Sequence, residues 1–362
     1  MTSTDDRTST DDRAPTDDRT STDDRAPIDD RIHVGIAYPF DEGTLSTFRA
    51  VSPRLCLHVV PRYDQAGVDE VMSPEIEVLI GQTLPSDRST MPRLRWLQIL
   101  SAGAEMVLAS EPWPSGVALT NARGCYATAI AQYTIGAILR IAERVDERAD
   151  LQRRHRWPDD QDEYVGTLVR GRTLLIVGYG GIGREIGRLA AAFGMRVLAV
   201  KARPEQRVDT SYRLPGTGDP EGSIPERIVG LDGLRDAAAE ADYVSITLPI
   251  TRASRGVFSR SVIDALPAHA WVINTGRGPV TDEDALLEAL RDRRIGGAVL
   301  DVFGEEPLPP DSPWWSLPNV IVTPHVAGSS GAEEHRALIA ENLRRFVAGE
   351  PLVNDVDPER GY

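Results

Sequence analysis

The chain is poor in cysteine, in aromatic residues and in long apolar runs. Of its 362 residues only Cys56 and Cys125 are cysteine, and 6% are Phe, Trp or Tyr. Two widely separated cysteines make neither a disulfide framework nor a metal-ligand spacing, so no stapled fold and no metal is expected. Positive charge is also in deficit, at a formal net charge of −15, which argues against a nucleic-acid partner. The greasiest stretch, Ala127 to Ala142, is interrupted by Gln132 and Arg140, so no membrane span is expected. The first residues hold no apolar core of signal-peptide type. These features point to a cytoplasmic protein. With 41% hydrophobic residues, the length suffices for two domains with buried cores.

Residues 2 to 31 are five tandem hexads, TSTDDR, TSTDDR, APTDDR, TSTDDR and APIDDR. Their one large apolar residue, Ile28, cannot offset the entropy of ordering the backbone, so a solvated tail without a catalytic role is expected. Order is expected from Ile32. "RIHVGIAY", "LCLHVV", "EIEVLIG", "LRWLQIL" and "GVALTNA" read as strands separated by helices or loops, an α/β layer with a mainly parallel sheet.

From Ala127 the apolar spacing becomes helical through Ile130, Thr134, Ile138, Ile141 and Val145, predicting one long helix towards "LQRRHRW". A second series of strands follows: "TLLIV", "RVLAV", "RIVGL", "DYVSITL", "AWVINT", "GGAVLDV" and "NVIVTP". Most are continuous apolar runs, as strands covered on both faces should be. Helices are predicted from Asp282 to Arg291, capped by Thr281 or Asp282, and from Ala332 to Ala348. Residues 204 to 226 read as an extended surface loop.

"TLLIVGYGGIGREIGRLAAAFG" places Gly178, Gly180 and Gly183 at the spacing G-x-G-x-x-G, after a strand and before an amphipathic helix. Gly178 permits a tight turn, Gly180 lets backbone approach a pyrophosphate, and Gly183 lets helix and strand pack closely. The unpaired N–H groups of the helix N-terminus then face the phosphates. About 20 residues on, NAD-binding domains usually carry an acid for the adenosine ribose. Here that position is Lys201, with Arg203 beyond it. Basic groups would attract a ribose 2′-phosphate, which favours NADP, with NAD the alternative if Lys201 points to solvent.

Three later strand ends carry the groups suited to reducing a carbonyl: Arg277 in "VINTGRGPV", Glu306 in "VLDVFGEEPLP" and His325 in "VIVTPHVAGS". Ligands of doubly wound sheets bind outside the carboxyl ends of strands, so all three should face one cleft with the glycine turn. These segments, with "VGYGGIGREIG" and "LQILSAGAE", resemble the D-isomer-specific 2-hydroxyacid dehydrogenase family over nearly all of residues 32 to 353.

The resemblance implies a Rossmann-type doubly wound domain beside a flavodoxin-like α/β substrate domain. The substrate domain would be discontinuous, 32–124 with 328–353, around a dinucleotide-binding domain at 125–327. Residues 354–362 would be a C-terminal tail, and the two crossings between domains a hinge. It implies His325 as the proton donor to a 2-keto acid, Glu306 orienting its imidazole, and Arg277 anchoring the substrate. Spacing alone does not choose between Glu305 and Glu306; the Glu-Pro step matched by the family selects Glu306. Backbone groups of Ser101, Ala102, Gly103 and Ala104 would complete the carboxylate site. Tyr179, Gly181, Ile182, Pro249, Thr275 and Asp301 join Gly178, Gly180, Gly183, Lys201 and Arg203 as cofactor-site residues, Asp301 chiefly as an organiser of its loop. His33, His58, His155, His269 and His335 read as structural. Family members are usually dimers through the cofactor domains, so a homodimer is expected.

Two alternatives stand beside this one. Phosphite or formate oxidation uses the same scaffold, although formate enzymes generally place Gln where Glu306 stands. A non-enzymatic nucleotide-sensing protein, like the co-repressors related to the family, would retain the same groups.

Overall fold

A computed structural model describes residues 30–109, 112–328 and 332–358; the hexads up to residue 29 lie outside them. The first series folds as β1 (Ile32–Ala37), α1 (Glu42–Val51), β2 (Leu55–Val60), α2 (Gln65–Val71), β3 (Ile76–Ile80), β4 (Trp96–Gln98), α3 (Glu105–Leu108) and β5 (Ala118–Thr120). Its strands pair in parallel in the order β2-β1-β3-β4-β5, the flavodoxin-like arrangement. Interior β3 is wholly buried, whereas every residue of edge strand β2 is half-exposed.

The chain returns to this sheet at its end. Ile339 and Leu343 of α10 (Ala332–Ala348) join Ile32, Val34, Ile36, Phe48 and Trp96 in one core. Each such aliphatic side chain contributes roughly 2 kcal/mol by leaving water. Beyond it, Asp355 makes an isolated bridge to Thr120 and Val356 is buried against the first sheet. Residues 354–356 are therefore built into the fold, a correction to the tail expected from residue 354.

The second series begins with α4 (Ala127–Ala142) and α5 (Val145–Arg153). The single long helix expected here is two. Arg144 takes the left-handed conformation, φ 52°, and ends the α4 ladder at the point where the sequence turns from apolar to charged. Next come β6 (Thr173–Val177), α6 (Gly181–Ala192), β7 (Arg196–Val200), β8 (Arg227–Val229), α7 (Leu234–Ala238), β9 (Tyr243–Ile246), α8 (Arg260–Ile263), β10 (Trp271–Asn274), α9 (Glu283–Arg291), β11 (Gly297–Leu300) and β12 (Val320–Val322). Asp282 is the cap of α9, accepting the Ala285 N–H at 3.0 Å.

All seven strands are parallel, in the order β12-β11-β10-β9-β6-β7-β8. Alternate residues serve opposite faces: Leu175, Val177, Leu198 and Val200 enter one core, while Leu174, Ile176, Val197 and Ala199 enter another. Burial on both faces is why these strands read as unbroken apolar runs. The order reverses between β6 and β9, which opens a crevice at their carboxyl ends.

Candidate active site

The glycine turn occupies that crevice. Gly178 sits at φ 113°, and a Cβ there would lie 2.9 Å from Thr247 Oγ1. Thr247 in turn donates to the Gly178 carbonyl at 2.8 Å. A Cβ on Gly183 would collide with that same carbonyl, so helix α6 can approach β6 only with glycine there. At Gly180, by contrast, nothing lies within 4 Å of the would-be Cβ, and no side chain caps the helix. Open ground before the uncapped N-terminus of α6 is what a pyrophosphate needs. Gly181 and Ile182 form the first turn of α6, half-buried. The Tyr179 side chain is buried and donates to Asp219 at 2.7 Å, so only its backbone is left to border the crevice. Pro249 lies exposed in the loop after β9. Thr275 Oγ1 is buried without a hydrogen-bond partner among the described residues, a polar atom left for a ligand. These features fit a dinucleotide.

Lys201 directly follows β7, and its ammonium donates to the Gln206 carbonyl at 2.5 Å. Burial, then the positive charge of Arg184, lowers its pKa, with Arg203 adding to the effect. Arg203 is exposed. A cationic cluster of this kind suits a phosphate monoester.

Residues 204 to 226 contain no helix or strand, as expected, yet they are more than a surface loop. Arg184, 2% exposed, donates to the carbonyls of Asp219 and Arg207 and stacks over the Tyr179 ring. Glu185, 1% exposed, accepts the Gly218 N–H at 2.6 Å and pairs with Arg188. Asp219 accepts from Tyr179, Ser223 and Ile224. The loop is thus pinned to α6 by buried charges. The available signal was "GREIG": two charged residues on the helix face that its glycines and Ile186 assign to the interior.

Arg277, Glu306 and His325 follow β10, β11 and β12, which are successive neighbours in the sheet. The backbone at Gly278 packs so closely on Phe303 and Gly304 that a Cβ would collide with both. The Phe303 N–H donates to Glu306 Oε1 at 2.9 Å, and Glu306 Oε2 lies 2.7 Å from His325 Nδ1. The carboxylate therefore holds one imidazole nitrogen and leaves Nε2 for a substrate. The side chains of Glu306 and His325 are 35% and 51% exposed, accessible to a ligand. Arg277 is half-buried, its guanidinium donating to the Gly276 carbonyl at 2.9 Å.

Asp301, 2% exposed, spends its carboxylate on the protein. It accepts from Thr323 Oγ1 at 2.6 Å and from the N–H groups of Val326 and Ala327 at 2.9 and 3.0 Å. Between them His325 adopts φ 54°, a left-handed conformation uncommon for a residue with a side chain.

In the first sheet, the loop after β4 has its carbonyls tied down. Ser101 O accepts from Ala122 N–H, Ala102 O from Asn121, and Gly103 O from the Ser101 hydroxyl. The N–H groups of Ala102 and Gly103 donate to no other described residue. Ala104 is buried at the foot of the loop. Just before it, the Leu100 carbonyl accepts from the Tyr126 hydroxyl at 2.5 Å and lies 3.0 Å from His335 Nε2. Those two rings meet edge to face, one at each crossing between the sheets, and neither was singled out for this in the sequence.

Comparison with known proteins places this geometry. Residues 135–327 match the model of the D-isomer specific 2-hydroxyacid dehydrogenase NAD binding domain. A glyoxylate reductase of Aeropyrum pernix is 31% identical over 336 residues, 86% of this chain and 95% of that relative. A D-isomer specific 2-hydroxyacid dehydrogenase of Xanthobacter autotrophicus, solved with NADPH and MES, is 29% identical at a TM-score of 0.74, covering 92% of this chain and all of that one. An NADPH-dependent glyoxylate/hydroxypyruvate reductase of Sinorhizobium meliloti, solved with NADP and sulfate, is 26% identical at a TM-score of 0.71, over 92% of this chain and all of that one. With two parallel sheets, a glycine turn at the switch point and these matches along its length, the chain belongs to the D-isomer-specific 2-hydroxyacid dehydrogenase family.

Proposed function

We propose that this chain reduces a small 2-keto acid of the glyoxylate and hydroxypyruvate class, with NADPH favoured over NADH. The observation that carries the reading is the 2.7 Å pair of Glu306 and His325, one strand away from Arg277. Relatives named as glyoxylate reductases support the substrate class, and Lys201 with Arg203 supports the phosphorylated cofactor. The glycine turn and the N-terminus of α6 would hold the pyrophosphate of the dinucleotide, which would supply a hydride to the keto carbon.

The chain's own residues do the rest. The guanidinium of Arg277 takes the substrate carboxylate and polarises the carbonyl oxygen. The N–H groups of Ala102 and Gly103 hold the carboxylate from the other side of the cleft, where small side chains allow close approach. His325, its Nδ1 held by Glu306, delivers a proton from Nε2 to the carbonyl oxygen, and solvent returns it after product leaves. Residues 32–124 with 328–353 serve as the substrate domain and 125–327 as the cofactor domain, closing about their crossings to exclude water.

A second copy of the chain would cover Trp157 and Leu168, 82% and 77% exposed in the segment after α5. No helix among the described residues is long and apolar enough to cross a membrane. Cys56 and Cys125 are unpaired, which suits the reducing cytoplasm. The test is steady-state turnover of glyoxylate, hydroxypyruvate, pyruvate, phenylpyruvate and branched 2-keto acids, with formate and phosphite oxidation alongside, each with both nicotinamides. Reduction of at least one keto acid, fastest with NADPH, is expected. Turnover of phosphite or formate alone, or of nothing, overturns the reading.

A further inference from the structure

The sequence holds no local metal motif, but parallel pairing of β1 with β2 assembles one from distant residues. His33 lies opposite Cys56, and Gly35 opposite His58. The three side chains project from the same face, because His33 shares its parity with Ala37, and Cys56 and His58 share theirs with Val60, all on the layer that packs beneath α2. One ligand atom from each of His33, Cys56 and His58 lies within 4.8 Å of the others. His33 Nδ1 and His58 Nε2 are 2.9 Å apart, their rings stacked at a centroid distance of 5.1 Å. Gly35 presents no side chain opposite His58, so the imidazole has room to lean towards His33.

We propose that His33, Cys56 and His58 form a binding site for a borderline divalent cation of the zinc type. A tetrahedral ion with nitrogen bonds near 2.0–2.1 Å and a sulfur bond near 2.3 Å sets its ligands about 3.3–3.6 Å apart. One nitrogen pair stands at 2.9 Å and the three ligand atoms lie within 4.8 Å of one another, so side-chain shifts of about an ångström reach that spacing. A hydrogen bond between imidazoles accounts for the two nitrogens but not for a thiol in the same small volume. Two imidazoles and a thiolate select zinc-like ions over calcium or magnesium, which prefer oxygen. The donor imidazole keeps its proton by moving it to its other ring nitrogen, and the thiol loses its own, so about one proton leaves as the ion enters. A water completes the fourth position. All three side chains are half-buried, and β2 is the edge strand, so the ion has a way in from solvent. The bound ion would tie that edge strand to β1.

The site is tested with Zn²⁺ and Co²⁺ alone on the full chain. Expected are about one cobalt per chain, a thiolate-to-cobalt charge-transfer band in the near ultraviolet, release of about one proton per zinc at a pH where the imidazoles are neutral, and a rise in Tm on adding zinc. Cys56→Ser should abolish the band and His58→Gln should weaken zinc affinity at least tenfold. His325→Ala should keep both, which separates this site from the imidazole of the catalytic cleft. Keto-acid turnover by Cys56→Ser and His58→Gln reports that they are folded. A band that is missing in the parent chain or persists in Cys56→Ser overturns the proposal, as does unchanged zinc affinity in His58→Gln.

Discussion

Asp301 clamps the backbone on both sides of His325. Its carbonyl accepts the His325 N–H at 2.9 Å, and its carboxylate accepts the N–H groups of the two residues that follow. A left-handed backbone at His325 costs on the order of 1 kcal/mol, and these three bonds hold it there. Asp301→Asn removes charge and one acceptor while keeping volume. We expect kcat to fall about 10- to 100-fold with little change in the Kd for NADPH, because the imidazole loses its aim rather than its chemistry. Equal losses in kcat and in cofactor binding would instead indicate general disruption.

His325→Ala removes the proposed proton donor itself. Turnover should drop by about 10²- to 10⁴-fold, while NADPH binding, followed by nicotinamide fluorescence, stays measurable. Retained turnover would take the acid role away from this residue.

Lys201→Asp inverts the charge beside the expected ribose position. The ratio of kcat/KM for NADPH to that for NADH should fall by at least tenfold, since a carboxylate repels a 2′-phosphate and accepts from a free hydroxyl. An unchanged ratio would mean that Lys201 serves only its contact with the Gln206 carbonyl.

The pinned loop should loosen in acid. Burial alone would raise the Asp219 carboxyl, but hydrogen bonds from Tyr179, Ile224 and Ser223 outweigh it and leave the pKa below its ordinary value. A carboxylate with a depressed folded pKa stabilises the fold above its unfolded value, near 4, and loses that contribution as pH falls towards the folded one. Hydrogen exchange of residues 204–226 should therefore quicken below about pH 4, whereas in Asp219→Asn it should be fast already at neutral pH and show less dependence on acid. Equal exchange in both proteins at pH 7 would show that Asp219 does not hold the loop.

Every strand named in the sequence is present: interior strands buried on both faces carry their signal in an unbroken apolar run, and the partly exposed edge strands β2, β8 and β12 are rich in β-branched residues. The Gly178–Gly183 turn was legible because Gly178 and Gly183 each meet a local steric demand. What escaped was non-local. The break at Arg144 depends on one residue's φ, which helical spacing does not record. The buried pair Arg184 and Glu185 looks like ordinary helix surface until the loop that covers it is in place. His33, Cys56 and His58 share no sequence window, and only the register of β1 against β2 brings them together.

The Leu100 carbonyl has a mechanical consequence. It takes hydrogen bonds from Tyr126, at the outgoing crossing, and His335, at the returning one, and its own chain runs directly into Ser101–Ala104. In the proposed opening, spreading the two sheets would pull on the peptide that leads into Ser101–Ala104, so gate and receptor would be one linkage: product escape and dismantling of the proposed anion seat would be the same motion.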